Sequence, residues 1–317
     1  MSSLSLKKTP VVFVPGLFGS MSNTIVPGTG DWSFGLAGMV YEPFILTLET
    51  MGYRRNHNLF ICFYDWSQRI EHSSSHYLLK TIAQAKEKTG SNQVNIVCHS
   101  MGGLVSRAYV QSTTYKNDVD KLVILCTPNA GSPPNYSYWT GGELPLSTSG
   151  KFNFVHFYMK MYLTYLSKRY KSNKIEVIHT HFKGLQDIMP SVDYGNYLIM
   201  NNNGDRTFVD YFGMKSQNKW LDQLNANRDI IQNRNIDVTL IAGTEEETIK
   251  YLEVVSSQSI IQWADGKVIG GAYTNIGDGD AVLDSVFLLD GDQYTVEGTH
   301  IETLYKSESI LRSKLRQ

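Results

Sequence analysis

Ser100 stands within Val-Asn-Ile-Val-Cys-His-Ser-Met-Gly-Gly-Leu-Val-Ser-Arg, residues 94–107. The apolar run Val94 to Cys98 reads as a short buried strand. Gly102 and Gly103 then open a helical pattern carried by Leu104, Val105, Ala108 and Tyr109. A strand that turns into a helix through x-Ser-x-Gly is a nucleophile elbow, whose strained corner projects the serine oxygen to where a base can reach it. Gly102 is expected to be small because strand and helix pass close at that corner. The motif ordinarily opens with glycine, and Cys98 holds that place here. Cys98 is expected to pack as a small buried hydrophobe. It lies in the strand while Ser100 is on the corner, so Cys98 is a poor nucleophile.

A nucleophilic serine needs a base, and the base needs an orienting acid. In a strand–elbow–helix architecture the chain order is Ser, then Asp or Glu, then His. His300, in Val-Glu-Gly-Thr-His-Ile-Glu-Thr-Leu, is the one histidine beyond the last strands. The acid candidates lie in 275–285. Asp278, between two glycines, is preferred; Asp280 is the alternative, and Asp284 reads as a surface residue. These aspartates lack the further ligand spacing of a calcium loop. An oxyanion hole requires two backbone N–H groups aimed at the developing charge. Met101, directly after the nucleophile, supplies one. The loop Val14-Pro-Gly-Leu-Phe-Gly-Ser20 fits the other, with Leu17 the first choice and Phe18 the next.

The elements that must hold these residues are legible as an alternation. Strand-like runs occur at 11–14, 59–64, 94–98 and 121–126, with helical spacing at 39–52, at 75–88 and after the elbow. That rhythm implies βαβ units and a parallel sheet. It breaks after Cys126. Residues 127–150 are rich in glycine and proline, 151–170 are dense in aromatics, and 183–222 show no clear repeat. The alternation returns with a strand at 236–243, a hairpin-like stretch at 258–273, a strand near 293–297 and a terminal helix at 302–315. The expected organisation is a core formed by 1–131 and 231–317, with 132–230 inserted above the sheet as a lid or cap.

Composition bounds the function. The chain has 317 residues, 42% hydrophobic and 19% charged, with a formal net charge of −1. It carries no basic block or acidic tail, so electrostatic binding to nucleic acid is not expected. Three cysteines, Cys62, Cys98 and Cys126, fit neither a disulfide framework nor a zinc finger, and read as reduced core residues. No segment approaches the ~20 apolar residues of a membrane span. The amino-terminal residues lack a signal-peptide pattern. The expected location is cytoplasmic, or secreted if a leader has been removed.

With these residues in place, the chain resembles the α/β-hydrolases of the lipase and lecithin:cholesterol acyltransferase-like group. The resemblance rests on Val-Pro-Gly-Leu-Phe-Gly-Ser (14–20), Tyr-Asp-Trp (64–66), Cys-His-Ser-Met-Gly-Gly-Leu-Val (98–105) and Thr-Pro-Asn-Ala-Gly-Ser-Pro (127–133). Gly-Leu-Gln-Asp-Ile-Met-Pro-Ser-Val-Asp-Tyr (184–194) is similar to a stretch this group carries after its lid. The group's acid motif, Gly-Asp-Gly-Thr-Val-Pro-Leu-x-Ser, laid on 277–285 places the acid at Asp278, although Asp280 and Ala281 replace Thr-Val. The resemblance implies an α/β-hydrolase fold with a mostly parallel sheet flanked by helices. It also implies a Ser100–His300–Asp278 triad acting on lipid-like acyl esters through an acyl-enzyme, without cofactor or metal. The alternatives are an acyltransferase or phospholipase A and, from another class, a catalytically silent binding module. Transient contact with a lipid surface is compatible with that substrate class.

Residues 152–166 are apolar or aromatic around most of a helix, interrupted by Lys160, and either extend the core or cover an acyl pocket. Phe18, Trp139, Phe157 and Tyr158 are the candidate substrate-contacting residues. His72 and His76 share a helix face, and His179 and His181 are expected to share a strand face. Neither pair has an evident third zinc ligand. Asp65-Trp66 is expected to brace the loop near the oxyanion strand.

Overall fold

Ten strands form among the described residues, which in this computed structural model are 8–143, 154–259 and 261–316, with 154–159 described by backbone alone. They are β1 (Val11–Val14), β2 (Leu59–Ile61), β3 (Val94–His99), β4 (Val119–Leu125), β5 (Leu198–Asn202), β6 (Asp205–Phe208), β7 (Asp237–Thr244), β8 (Thr248–Val255), β9 (Lys267–Thr274) and β10 (Asp292–Glu297). Six form one sheet in the order β10-β7-β4-β3-β1-β2, and every pairing in it is parallel.

Side chains alternate across a strand, and the sheet builds a core on each face. Val12, Val14, Ile96, Cys98, Leu122 and Ile124 face one layer with Ile82 and Ala85 of the helix Leu79–Thr89 and Leu104 and Val105 of the helix Met101–Val110. Val11, Phe13, Val97, Val123 and Leu125 face the other, with Tyr41, Phe44, Ile45 and Leu48 of the helix Gly38–Thr50 and with Leu304 and Leu311 near the C-terminus. Each Val, Leu, Ile or Phe side chain among these, taken fully from water, contributes about 1.5–3 kcal/mol. β1, β3, β4 and β7 are buried along most of their length and read as largely continuous apolar runs, whereas the edge strand β10 is mostly exposed.

A second sheet, β6-β5-β8-β9, has its own apolar cluster around Tyr136, Tyr197, Leu252 and Trp263. It takes two strands from 198–208 and two from 248–274. The hairpin-like stretch at 258–273 is thus the second arm of a longer hairpin, whose first strand, β8, begins at Thr248. The terminal helix is two helices, Glu302–Lys306 and Glu308–Lys314, divided at Ser307. The expected strand at 179–181 is incorrect. His179 and His181 lie on the helix Lys174–His181, capped at its start by the Asn173 side chain, and two residues apart on a helix do not face the same way. His72 and His76 do sit together, with rings 5.2 Å apart. No described helix is long and apolar enough to cross a membrane.

Candidate active site

Ser100, Asp278, His300 and the loop after β1 gather where β1, β3, β4, β7 and β10 end, the carboxyl edge at which open parallel sheets bind ligands. Ser100 follows β3 directly, at φ 56° and ψ −131°. A non-glycine residue held there costs about 1–3 kcal/mol and persists only where its surroundings over-determine it. Those surroundings are explicit. The Ser100 amide donates to the Leu125 carbonyl at 2.9 Å, and the Ser100 carbonyl accepts from Thr127 Oγ1 at 2.7 Å and from the Gly103 amide at 3.0 Å. Gly102 lies against the Val14 and Pro15 carbonyls, where any Cβ would collide with backbone. Cys98 is fully buried beneath the corner, and burial pushes its thiol up to about 12. All three cysteines are free and buried.

The loop after β1 is pinned from several sides. Tyr64 donates its hydroxyl to the Pro15 carbonyl at 2.8 Å, and Trp66 Nε1 donates to the Ser20 carbonyl at 3.0 Å. The bracing expected of Asp65-Trp66 comes from the indole, while Asp65 Oδ1 accepts from the Ser67 amide at 3.0 Å. Gly16 lies so close to the elbow that a Cβ on it would stand 2.7 Å from Ser100 Cβ. The Gly16 amide donates to Tyr41 Oη at 2.9 Å and the Gly19 amide to the Gly16 carbonyl at 3.0 Å, leaving the Leu17 amide without an acceptor among the described residues. Met101 opens the helix Met101–Val110, so its amide has no partner within the helix and lies at the positive end of the helix dipole. Phe18, at φ 61°, packs edge-on against Trp66 with ring centroids 4.8 Å apart.

The candidate acid and the candidate base meet directly. His300 Nδ1 lies 2.9 Å from Asp278 Oδ2, and Asp278 Oδ1 accepts from the amides of Ala281 at 2.7 Å and Asp280 at 2.9 Å. The Asp278 side chain is fully buried and the His300 side chain is 12% exposed. Burial opposes charge on both. The Asp278–His300 attraction and hydrogen bonds outweigh it, holding the carboxyl below its usual range and the imidazole above its own. Asp280 is different: its carboxylate is 71% exposed and lies 4.0 Å from His300 Nε2, on the other side of the ring from Asp278. Asp284 is exposed and pairs with Lys250 at 3.6 Å.

The segment 127–133 links the elbow to the acid loop. Thr127 binds the Ser100 carbonyl, Ser132 Oγ donates to the Asp280 carbonyl at 2.7 Å, and Ser285 Oγ donates to the Gly131 carbonyl at 2.8 Å. Buried Arg107, on the elbow helix, donates to the Asn129 carbonyl at 3.2 Å and to Asn225 Oδ1 at 2.7 Å.

Two residues of this site escaped sequence reasoning. His99 Nε2 lies 3.0 Å from the His300 carbonyl, and His99 Nδ1 lies 2.9 Å from Tyr41 Oη. The His99 and His300 ring centroids are 4.7 Å apart. No local pattern marks Tyr41, which is brought to the elbow across 58 residues of chain.

For a metal, the described residues offer one group: His99, Cys126 and His300 present ligand atoms within 4.8 Å of one another. Both nitrogens of His99 and Nδ1 of His300 are already engaged. A metal here would have to displace protein hydrogen bonds. Trp139 stacks on His179 with centroids 4.1 Å apart. The side chains of Phe157 and Tyr158 lie outside the described residues.

The lecithin:cholesterol acyltransferase family profile matches residues 33–149, a segment that includes the elbow. No curated protein matches the chain. Among solved structures, the mature form of the lipase BlEst2 from Bacillus licheniformis is similar over 100% of this chain and 96% of that one, at 13% identity and TM-score 0.54. Its propeptide form is similar over 98% of this chain and 51% of that one, at 14% identity and TM-score 0.50. The fold is that of the α/β-hydrolases, a parallel central sheet flanked by helices.

Proposed function

From an α/β-hydrolase fold with a lecithin:cholesterol acyltransferase-like segment, we infer a serine carboxylester hydrolase that acts on lipid-like acyl esters. The observation that carries this reading is the buried Asp278–His300 pair, with Nδ1 to Oδ2 at 2.9 Å, beside the strained Ser100 corner. With Nδ1–H directed at Asp278, His300 Nε2 is the nitrogen that accepts a proton. His300 takes the Ser100 proton as Ser100 attacks the ester carbonyl. The Leu17 and Met101 amides receive the oxyanion, and Asp278 stabilises the imidazolium. His300 then protonates the leaving alcohol, and water resolves the acyl-enzyme. Nothing in this sequence calls for a cofactor.

In this reading 132–230 is the lid or cap over a core of 1–131 and 231–317, although β8 and β9 complete the sheet that β5 and β6 begin. Phe18 and Trp139, with Phe157 and Tyr158, are assigned to acyl contact. Phe18 joins a buried aromatic series in which Trp66 stacks on Phe182 at 5.6 Å, apolar packing that backs the loop after β1. The family match supports a second reading, acyl transfer to an alcohol through the same intermediate.

A fluorophosphonate probe tests the reading. Ser100 is expected to be labelled, and Ser100→Ala to abolish both labelling and ester cleavage. Equal labelling of the variant overturns the assignment. A chain-length series of nitrophenyl esters, with and without added alcohol, separates the two readings: product that is mainly the new ester favours transfer.

A further inference from the structure

His99 connects the two halves of the site, and the direction of each hydrogen bond is determined. The His300 carbonyl can only accept, so His99 Nε2, 3.0 Å away, carries the proton. Burial lowers the His99 pKa to about 3, which keeps the ring neutral and leaves Nδ1 as an acceptor. Tyr41 Oη, 2.9 Å from Nδ1, therefore donates to it. The same oxygen accepts the Gly16 amide at 2.9 Å. Every donor in the series has one acceptor: Gly16 N–H to Tyr41 Oη, Tyr41 O–H to His99 Nδ1, His99 Nε2–H to the His300 carbonyl. One end is the residue before Leu17, in the loop that offers the oxyanion amide. The other is the main chain of the base. Both Tyr41 and His99 are buried, at 4% and 2% exposure, so water does not substitute for a missing member.

We propose that Tyr41 and His99 are positioning residues, a buried polar spacer that sets the oxyanion loop and the His300 backbone in register around Ser100. The proposal rests on the assignment of Ser100 and His300 as nucleophile and base. His99 packs against the His300 ring, with centroids 4.7 Å apart, but neither Tyr41 nor His99 hydrogen-bonds to a reacting atom; each acts by fixing groups that react. A displacement of about 1 Å at such a group costs on the order of 100-fold in rate.

Three variants test it. Tyr41→Phe keeps the ring and removes both hydrogen bonds of the hydroxyl. His99→Gln keeps a donor at the reach of Nε2, and His99→Asn keeps an acceptor near Nδ1 but cannot reach the His300 carbonyl. Each is titrated with a fluorophosphonate, so that turnover is expressed per active serine, and kcat and KM are measured on a short nitrophenyl ester. Tyr41→Phe and His99→Asn are expected to lose roughly 10- to 100-fold in kcat, with KM within about twofold and the titratable fraction preserved. His99→Gln is expected to recover part of the loss. A merely structural role would lower the titratable fraction and the thermal midpoint and leave kcat per labelled site unchanged; that outcome overturns the proposal. Nitrogen NMR of the unmodified protein provides a readout independent of variant folding. His99 is expected as the neutral Nε2–H form, and an Nδ1–H tautomer or an imidazolium also overturns it. If wild-type Ser100 is not labelled, the hydrolase reading fails and takes the proposal with it. If wild type is labelled and Tyr41→Phe turns over normally, the proposal alone fails.

Discussion

Asp278 grips His300 at two points: its Oδ2 lies 2.9 Å from the imidazole Nδ1, and its carbonyl accepts the His300 amide at 2.7 Å. The second bond holds the main chain of His300, so the ring and its backbone are referenced to one residue. Asp278 itself is fixed by the Ala281 and Asp280 amides. With Nδ1 engaged, Nε2 is the ring nitrogen that the proposed mechanism uses to accept a proton.

The pH dependence of turnover follows from this pair. His300 must be neutral to accept a proton, and its pKa lies above 6.5 because the neighbouring carboxylates and the Asp278 hydrogen bond outweigh burial. Activity is therefore lost as pH falls through a value above 6.5. In Asp278→Asn burial acts with less opposition, so the acid limb of kcat/KM moves to lower pH. At the same time kcat falls by about 10³- to 10⁴-fold, since the ring loses its orienting partner. A kcat/KM profile on both proteins checks the sign; an unmoved limb would dissociate Asp278 from the titrating group.

Asp280→Asn is the matching control. Its carboxylate is 71% exposed and 4.0 Å from Nε2, so solvent screens it. Exposed pairs contribute about 0–1 kcal/mol, and kcat is expected to stay within about fivefold of wild type. A loss as large as that of Asp278→Asn would reverse the assignment of the acid.

The sequence separated these aspartates poorly because spacing does not report burial. Asp278 and Asp280 are two residues apart, yet one carboxylate is fully buried and the other is in water. The elbow was legible because strand, corner and helix are consecutive. The parallel sheet was legible because its central strands, buried on both faces, are largely apolar. The second sheet was not. β5 pairs in parallel with β8 across some fifty residues, and β6 is exposed along its whole length, so neither carries a strong pattern. The His99–Tyr41 contact is equally non-local. The segment holding His179 was misread because two histidines flanking a threonine imitate strand alternation, whereas the Asn173 cap starts a helix there.

Gly102→Ala is expected to destabilise the protein. Alanine favours a helix over glycine by about 1 kcal/mol. Here, however, the added methyl meets the Val14 and Pro15 carbonyls, backbone that cannot rotate away. Overpacking of this kind costs about 1–3 kcal/mol or more, so the net sign is a loss in the thermal midpoint. Gly38→Ala, whose nearest neighbour would be Glu42 Cγ at 3.8 Å, carries no such collision and should hold or raise the midpoint.

Thiol chemistry should pass this site by. Cys62, Cys98 and Cys126 are free and wholly buried, and burial raises each thiol well above its usual range. Native protein treated with iodoacetamide is expected to show no mass shift at these positions, and protein in urea to show three. Cys98→Ala should keep kcat and lose about 1 kcal/mol of stability for the buried atom removed. Native labelling of Cys98 with loss of activity would restore it as a nucleophile candidate.

Asp187 contributes a pH dependence of stability with the opposite sign to a paired surface carboxylate. It accepts the Ile70 amide at 2.9 Å and pairs with Arg69 at 2.5 Å, clasping the turn Lys183–Ile188 to the segment before Ile70. Its side chain is fully buried, and burial outweighs Arg69 and the hydrogen bonds, raising its pKa from 3.8 to about 6. Between those values the folded state binds more protons at this site than the unfolded state, so its contribution to stability declines as pH rises, by at most about 1.4 kcal/mol per unit. The contribution is fully present below the lower value, and its decline is complete above the higher one. Asp278 has a lowered value and slopes the other way, so the raw profile mixes the two. The difference between wild type and Asp187→Asn isolates the site. Urea unfolding across pH 4 to 6 should show wild type losing stability relative to the variant as pH rises. A flat difference, or one that grows in favour of wild type, would mean that Arg69 and not burial governs Asp187.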